Sequence, residues 1–379
     1  GALRLARESL MAQQRCSAHE AARRHYFLAV CAIKILNGGS LDLAESRRRA
    51  AARPVGGAIP DRTPVTGEKR DELLALTETH LLRAIDLGGA SFTSPYIDLD
   101  IIGALRHPND LAAHAAVSLR LANIAAATCR YWHCGLQRPP HLIRRLRSQS
   151  FYEPSIFEWS VQLMRSYKAI KAEMLAARTA ERGAASMSST WDLVGSKHDV
   201  GDRRLAEGGD WREFILLNGD ASVAAQVTRN RKRCPVTSAV LDSISAAADI
   251  ARHGIGESTF SALHPGAHLL PHCGSTNTRL TAHLPLVVPE GSCSIRVGNE
   301  VREYREGELM IFDDSYEHEV WNRHPTETRI VLLIRFWHPD IDPDKYADTK
   351  RCMRAAVVRH QRTTVLPPLD TPLQPNQAG

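Results

Sequence analysis

Six histidines in the second half of the sequence lie where predicted strands end or turn: His264, His268, His272, His283, His318 and His338. Of these, His272 directly precedes Cys273-Gly274, and His318 follows the polar run 313–317. Non-haem Fe(II) oxygenases usually hold the metal with two histidines and a carboxylate, in the order His-x-Asp or His-x-Glu and then a distant His. Because Gly274 stands in the carboxylate position, the motif alone fits either a metal-binding pair or a structural histidine pair in a cupin-like barrel.

The segments that carry these histidines are short and β-like. Predicted strands cover Ser258–Leu263, Arg279–Val288, Cys293–Val297, Glu308–Phe312 and Arg329–Trp337. Turn sequences such as Pro265-Gly266 and Glu306-Gly307 separate them, and the strand at 293–297 alternates apolar and polar residues. Several short strands at this spacing indicate a jelly roll or a barrel.

The first half of the sequence predicts helices. Apolar residues recur at helical spacing in Ala21–Leu36 and Asp71–Leu87, each followed by a glycine pair, and Asn109–Cys134 is a third, Ala-rich helix. Segment Arg53–Thr66, rich in Gly and Pro, is typical of a linker. A further helix is predicted over Ser155–Arg178, and a polar loop follows over Glu181–Glu207.

Composition narrows the class of protein. The chain has 379 residues with 43% hydrophobic content, enough for a globular core, and no run of eighteen apolar residues that would span a membrane. Its net charge of +6 comes partly from separate arginine clusters and only 6% of residues are aromatic, which argues against nucleic-acid binding. Cys129 and Cys134 lack the second pair typical of a zinc site. No compartment can be assigned from the sequence.

Two longer runs resemble the signatures of a known family. The run 260–280, FSALHPGAHLLPHCGSTNTRL, and the run 312–322, FDDSYEHEVWN, are similar to those of the aspartyl/asparaginyl β-hydroxylases. Gly307, Arg329 and the run 337–339 extend the second match, and the resemblance as a whole covers about residues 210–340. Members of this family hold iron with two histidines and have a glycine in place of the carboxylate. The resemblance therefore implies that His272 and His318 are the iron ligands.

The same resemblance implies roles for three further residues. Arg329 matches the arginine that binds the distal carboxylate of 2-oxoglutarate, for which a planar guanidinium is well suited. Ser261 and His283 match positions that hydrogen-bond this cosubstrate. His272, His318 and Arg329 would thus form the catalytic set, with Fe(II), 2-oxoglutarate and O2 as cofactor and cosubstrates.

Two departures from the family pattern concern the substrate. The family often has Arg two residues before its counterpart of His283, where this chain has Thr281, and often has Asp where this chain has Arg335. Arg279 would then be left to bind an acidic substrate side chain without a neighbouring arginine.

The resemblance also implies a fold and a domain organisation. We expect an α+β chain in which a helical N-terminal region precedes a double-stranded β-helix, also described as a jelly roll or cupin-like fold. The expected limits are 1–150 for the helical region, 151–345 for the catalytic domain, and 346–379 for a C-terminal helix with a disordered tail. That last helix is predicted over Asp344–Gln361.

The function implied is that of an Fe(II)- and 2-oxoglutarate-dependent dioxygenase hydroxylating an unactivated carbon. Its substrate would be the β-carbon of an Asp or Asn in a peptide or protein, for example in an epidermal-growth-factor-like domain. One alternative is a hydroxylase of a small molecule or lipid on the same fold, and another is a non-catalytic jelly-roll binding module. The helical half could also serve as a scaffold that presents protein clients to the catalytic half.

Overall fold

The computed structural model describes residues 17–36, 66–89, 92, 94–107, 110–129, 131–182, 191–194 and 205–353. Two compact units divide the chain: Gly1–Gly135 with Arg351–Gly379, and Leu136–Lys350. The predicted linker lies outside the described residues except for Thr66, as do most of the loop 181–207 and the whole tail after residue 353. Residues 136–150, which the sequence analysis places in the helical region, contain no helix and belong to the second unit.

The described residues of the first unit are mostly helical. Its helices are α1 (Ala18–Leu36), α2 (Glu68–Gly88), α3 (Ser94–Arg106) and α4 (Leu111–Cys129). Ile33, Leu74 and Leu105 share one buried cluster. Three of the four were predicted, but the sequence analysis missed α3, and the helix predicted to reach residue 134 ends at 129. No helix in the described part of the chain is long and apolar enough to cross a membrane.

The second unit combines several helices with two antiparallel sheets. Helices α5 (Trp159–Arg165) and α6 (Tyr167–Arg182) come first, and α7 (Ala224–Arg233), α8 (Pro235–Ser243) and α9 (Ser245–Arg252) lie between strands. The single helix predicted over 155–178 is thus a 3-10 turn followed by two helices that meet at Ser166. At the end of the unit, a 3-10 turn over Pro343–Lys345 leads into helical residues 346–350.

Twelve described strands build the two sheets. They are β1 (Phe151–Tyr152), β2 (Asp192–Leu193), β3 (Ala206–Glu207), β4 (Trp211–Leu217), β5 (Ser258–Leu263), β6 (His268–His272), β7 (Arg279–Val287), β8 (Cys293–Val297), β9 (Glu300–Glu303), β10 (Met310–Phe312), β11 (His318–Asn322) and β12 (Arg329–Trp337). The larger sheet has the order β1-β10-β7-β12-β5-β4-β2, and the smaller sheet has the order β3-β6-β11-β8-β9. This is the expected α+β architecture with a double-stranded β-helix of jelly-roll type.

Strand β12 shows how the larger sheet separates its two faces. Ile330, Leu332 and Ile334 belong to one buried cluster, which also includes side chains of α6 and α8. Val331 and Leu333 belong to another, together with residues of the smaller sheet. Because side chains alternate along a strand, one face of the sheet packs on helices and the other faces the smaller sheet. The inner face between the sheets is therefore where polar residues of the larger sheet can form a site.

Three of the strands that the sequence analysis missed have weak local patterns. β6 contains Pro271, which argues against a strand, and all four residues of β9 are exposed. β11 carries charged or polar residues at three of its five positions. Each of these strands is specified by its partners in the sheet more than by its own hydrophobic pattern.

Asn322, at the end of β11, provides a test of this packing. Its side chain is fully buried, and its Nδ2 donates to the carbonyls of Leu263, His264 and Glu327 at 2.9–3.1 Å. We expect Asn322→Ala to lower the free energy of unfolding by about 1–3 kcal/mol, because buried carbonyl groups lose their donor. Denaturant unfolding measures this free energy. Glu300→Ala, at an exposed position of β9, is the control and should change stability by less than about 0.5 kcal/mol; equal effects of the two variants would contradict the prediction.

Candidate active site

The two predicted iron ligands lie opposite each other on neighbouring strands of the smaller sheet. His272 ends β6, His318 begins β11, and the antiparallel register pairs them directly. The register shifts between the pairs His318–His272 and Val320–Leu269, so that β6 contains one extra residue there. Strict alternation from the buried Leu269 would turn Pro271, not His272, toward the inner face. The β-bulge therefore directs His272 to the same side as His318.

Both imidazoles are oriented through one ring nitrogen. The Nδ1 of His272 lies 2.7 Å from the carbonyl of Leu270, and the Nδ1 of His318 lies 2.9 Å from the carbonyl of Tyr316. A carbonyl can only accept, so each Nδ1 carries the hydrogen, and each Nε2 keeps its lone pair. The ring centroids are 4.1 Å apart. Two such nitrogens on one side of the sheet suit a divalent transition metal.

Burial keeps these rings neutral. Desolvation, followed by the repulsion that a second protonated ring at His318 would add, lowers the pKa of His272 to about 3, and desolvation also lowers the pKa of His318. A neutral imidazole is the form that ligates a metal. Both side chains are thus in the ligating state at neutral pH.

The position next to the pair has no room for a third ligand. A Cβ on Gly274 would lie 2.7 Å from Oδ1 and 2.9 Å from the carbonyl oxygen of Asp314. The Gly274 amide donates to that same carbonyl at 2.6 Å. Among the described residues, no group of three or more His, Cys, Asp or Glu is arranged to hold a metal. A metal here would have two protein ligands and would keep the remaining positions for small molecules.

Arg329 offers a carboxylate site on the inner face of the larger sheet. It begins β12 and is only 1% exposed, yet its Nε and Nη1 have no hydrogen-bond partner in the described part of the chain. Its guanidinium lies 4.9 Å from the ring centroid of Tyr304. A buried cation without a counter-charge is costly, and a planar fork of unused donors matches a carboxylate. These unsatisfied donors fit the distal carboxylate of 2-oxoglutarate.

Ser261 and His283 lie on strands that flank β12. Both are buried, and both are on the face of the sheet that carries Arg329. The Oγ of Ser261 accepts a hydrogen bond from Trp211 Nε1 at 3.0 Å, so its own hydroxyl hydrogen can be donated elsewhere. The Nδ1 of His283 lies 2.9 Å from the hydroxyl of Tyr304. Burial, followed by the charge of Arg329, lowers the pKa of His283 well below its ordinary value.

Arg279, the predicted substrate ligand, is engaged in a buried ion cluster. Its Nη1 donates to the carbonyl of Ile255 at 2.8 Å and its Nη2 to Oδ2 of Asp314 at 3.2 Å. Arg335 also approaches Asp314, with its Nε 3.6 Å from Oδ2, and pairs with Glu257. Burial alone would raise the pKa of Asp314, but the guanidinium groups of Arg279 and Arg335 outweigh burial and lower that pKa. Arg279 thus has an internal partner, and its substrate role stays a prediction.

Tyr304 is the site residue that the sequence analysis missed. It follows β9 directly, is buried, and contacts both His283 and Arg329. Its neighbours in sequence are exposed, and no motif marks it. The available signal was one aromatic residue next to a charged strand, which alone does not distinguish a core residue from a site residue.

Part of the chain is similar to known proteins. Residues 164–339 match the family model described as aspartyl/asparaginyl beta-hydroxylase. A mouse (Mus musculus) aspartyl/asparaginyl beta-hydroxylase is 40% identical over 147 residues, which is 38% of this chain and 18% of that protein. The ornithine lipid ester-linked acyl 2-hydroxylase of Rhizobium tropici is 33% identical over 206 residues, 54% of this chain and 66% of that one. The chain therefore spans less than a fifth of the mouse relative and about two thirds of the bacterial one.

A solved structure of a Pseudomonas putida prolyl-4-hydroxylase also matches. The TM-score is 0.29 and the identity 17%, over 45% of this chain and 87% of that one.

Gly274→Asp tests whether the two-ligand site can accept the missing carboxylate. With the dioxygenase activity expected from the sequence, Gly274→Asp should form less hydroxylated product per 2-oxoglutarate consumed, because a side chain there collides with Asp314 and adds negative charge beside the expected anionic cosubstrate. Gly274→Ala is the matched steric control. For both variants we would measure the metal affinity and the coupling, which is the hydroxylated product formed per 2-oxoglutarate consumed. If Gly274→Asp equals the unaltered protein in rate and coupling, the two-ligand interpretation fails; if Gly274→Ala is equally impaired, the collision is the main cause.

Proposed function

Because residues 164–339 belong to the aspartyl/asparaginyl β-hydroxylase family, we propose that this chain is an Fe(II)- and 2-oxoglutarate-dependent dioxygenase that hydroxylates an unactivated carbon. The observation that supports this proposal most is the buried guanidinium of Arg329. Its unsatisfied donors lie on the inner face between the sheets, and Val297, on the strand paired with His318, shares a buried cluster with Val331 of β12. A carboxylate-binding group and a two-histidine metal site in one small barrel are the parts that this reaction needs.

In the proposed mechanism, the protein binds and orients the metal and 2-oxoglutarate, while the metal supplies the oxidising chemistry. Iron bound together with 2-oxoglutarate would activate O2. The Nε2 atoms of His272 and His318 would hold the metal, and the carbonyls of Leu270 and Tyr316 keep both rings in the ligating orientation. Arg329 would bind the distal carboxylate of 2-oxoglutarate.

Ser261 and His283 would complete the cosubstrate site. Ser261 can donate its hydroxyl hydrogen to a carboxylate oxygen, since Trp211 already occupies its oxygen as a donor. His283 is neutral and is held by Tyr304, so it adds no positive charge beside Arg329. The buried surroundings exclude water, which strengthens these polar contacts.

For the substrate, we propose the β-carbon of an Asp or Asn in a peptide or protein. Support comes from the mouse relative, whose name states this specificity. The bacterial relative named as an acyl hydroxylase of ornithine lipid favours a second candidate, a lipid or small-molecule substrate, because this chain spans a far larger share of that protein. This chain also has Thr281 and Arg335 at two positions where the family often has Arg and Asp. Product analysis after incubation with an Asp/Asn peptide set and a lipid set separates the two candidates.

Replacing the ligands tests the metal site. We expect His272→Ala and His318→Ala each to abolish stoichiometric Fe(II) binding and 2-oxoglutarate turnover, because one imidazole cannot retain the metal. His268→Ala is the matched control, since this histidine lies on the same pair of strands but pairs with Glu319 instead. Anaerobic metal titration and succinate release are measured. Stoichiometric iron binding and hydroxylation by the double variant would place the site elsewhere. Iron and 2-oxoglutarate binding by the unaltered protein without turnover would favour a non-catalytic binding module.

Arg329→Ala tests the cosubstrate site separately. We expect the apparent affinity for 2-oxoglutarate to fall at least ten-fold while iron affinity changes little, because charge-assisted hydrogen bonds contribute about 1.5–3 kcal/mol each. Arg329→Lys should restore only part of the affinity, since an ammonium cannot bind a carboxylate in bidentate geometry. Arg323→Ala, an exposed arginine above Trp321, is the control. Unchanged 2-oxoglutarate affinity in Arg329→Ala would remove the support for this assignment.

A further inference from the structure

A segment upstream of the family match packs against both loops that adjoin the histidine pair. We define residues 136–148 as the strap; they precede β1 and contain no helix. The family match begins at residue 164, so the strap lies outside it. The first ligand loop, residues 313–317, leads into His318, and the second ligand loop, residues 273–278, follows His272.

Gln137 fixes the first ligand loop from inside the protein. It is fully buried, and its Nε2 donates to Oδ2 of Asp313 at 3.2 Å and to Oγ of Ser315 at 3.0 Å. Ser148, at the other end of the strap, donates to its Oε1 at 2.6 Å. Gln137 also forms an isolated antiparallel bridge with Tyr316. Both ends of this amide are therefore satisfied, and two of its partners belong to the loop.

Neighbouring residues of the strap strengthen the same contact. The carbonyl of Leu136 accepts from the backbone amide of Glu317 at 2.6 Å. Arg138 forms an ion pair with Glu317 at 2.6 Å, and both side chains are at most 9% exposed. Arg296 of β8 approaches the other carboxylate oxygen of Glu317 at 2.9 Å. The residue directly before His318 is thus held by backbone and side-chain contacts together.

The second half of the strap contacts the second ligand loop. Asn277, which is 1% exposed, accepts from the amide of Ile143 at 2.8 Å and donates to the carbonyl of Ile143 at 2.9 Å. The amide of His141 donates to the carbonyl of Ser275 at 3.2 Å. One short segment therefore connects the loop before one histidine with the loop after the other.

We propose that the strap is a positioning element of the metal centre and that Gln137 is the positioning residue for His318. This inference rests on the proposed function for the identity of the metal ligands. The Nδ1 of His318 donates to the carbonyl of Tyr316, and Tyr316 lies in the loop to which Gln137 is bonded. Gln137 thus acts on the imidazole indirectly, by holding the loop whose Tyr316 carbonyl orients the ring. Loss of such indirect partners typically weakens metal binding ten- to a hundred-fold.

Gln137→Met separates positioning from simple space filling. Met has a similar length but no amide, so it keeps the volume and removes the hydrogen bonds to Asp313 and Ser315. We expect about ten-fold weaker Co(II) binding and an altered d–d absorption spectrum of the Co(II) protein. Asn230→Ala is the matched control, because Asn230 is equally buried and its Nδ2 donates to a carbonyl, that of Ile215, away from the ligand loops. This control should keep the affinity and spectrum of the unaltered protein.

The possible outcomes distinguish the role of the strap from the proposed dioxygenase function. All proteins are studied as full chains by anaerobic Co(II) titration, absorption spectroscopy and thermal unfolding. Unaltered Co(II) affinity and spectrum in Gln137→Met would overturn the role of the strap and leave the proposed function intact. If Asn230→Ala weakens Co(II) binding as much as Gln137→Met does, general destabilisation explains both and the role of the strap is again overturned. Absence of Co(II) binding by the unaltered protein would overturn both proposals.

Ser148→Ala covers the case in which Gln137→Met does not fold. It removes the donor to Oε1 of Gln137 and the hydrogen bond between Ser148 Oγ and the hydroxyl of Tyr316 at 2.9 Å, and it leaves the Gln137 amide in place. We expect a change in Co(II) affinity in the same direction and of smaller size. A folded Ser148→Ala protein with the affinity and spectrum of the unaltered chain would count against the strap.

Discussion

The antiparallel pairing of β6 with β11 is the constraint on which the candidate site depends. It brings together two histidines that are separated by more than forty residues in sequence, and the bulge in β6 gives them a common direction. A shift of one residue in this register would turn one ring to the other face of the sheet. Asn322 links the end of β11 to the larger sheet, and the strap holds the loops beside the histidine pair.

The second physical feature is a local electrostatic imbalance at Arg329. Asp314 is compensated by Arg279 and approached by Arg335, whereas the guanidinium of Arg329 keeps unsatisfied donors at almost complete burial. Folding alone gives no reason for such an arrangement, because an apolar residue would occupy the same volume at lower free energy. An anionic ligand that enters from outside would explain it.

The sequence predicted the fold class, and strands such as 258–263 and 293–297 agree with the structure at both ends. It predicted these because their apolar residues face a core on one or both sides. It did not predict β9 or the role of Tyr304, which depend on neighbours distant in sequence. The site residues came from the resemblance, since spacing alone left the histidine pair open to a structural role. The bulge that orients His272 depends on pairing and has no local signal.

Strand β1 is short, yet it occupies one edge of the larger sheet and pairs with β10. It lies before residue 164, where the match to the family model begins. The segment that the family model covers is therefore shorter than the compact unit Leu136–Lys350. A polypeptide cut at the similarity boundary would leave the outer backbone groups of β10 unpaired, and exposed strand edges of this kind recruit other chains. Such a fragment would be prone to aggregation even though it retains every residue assigned to the reaction.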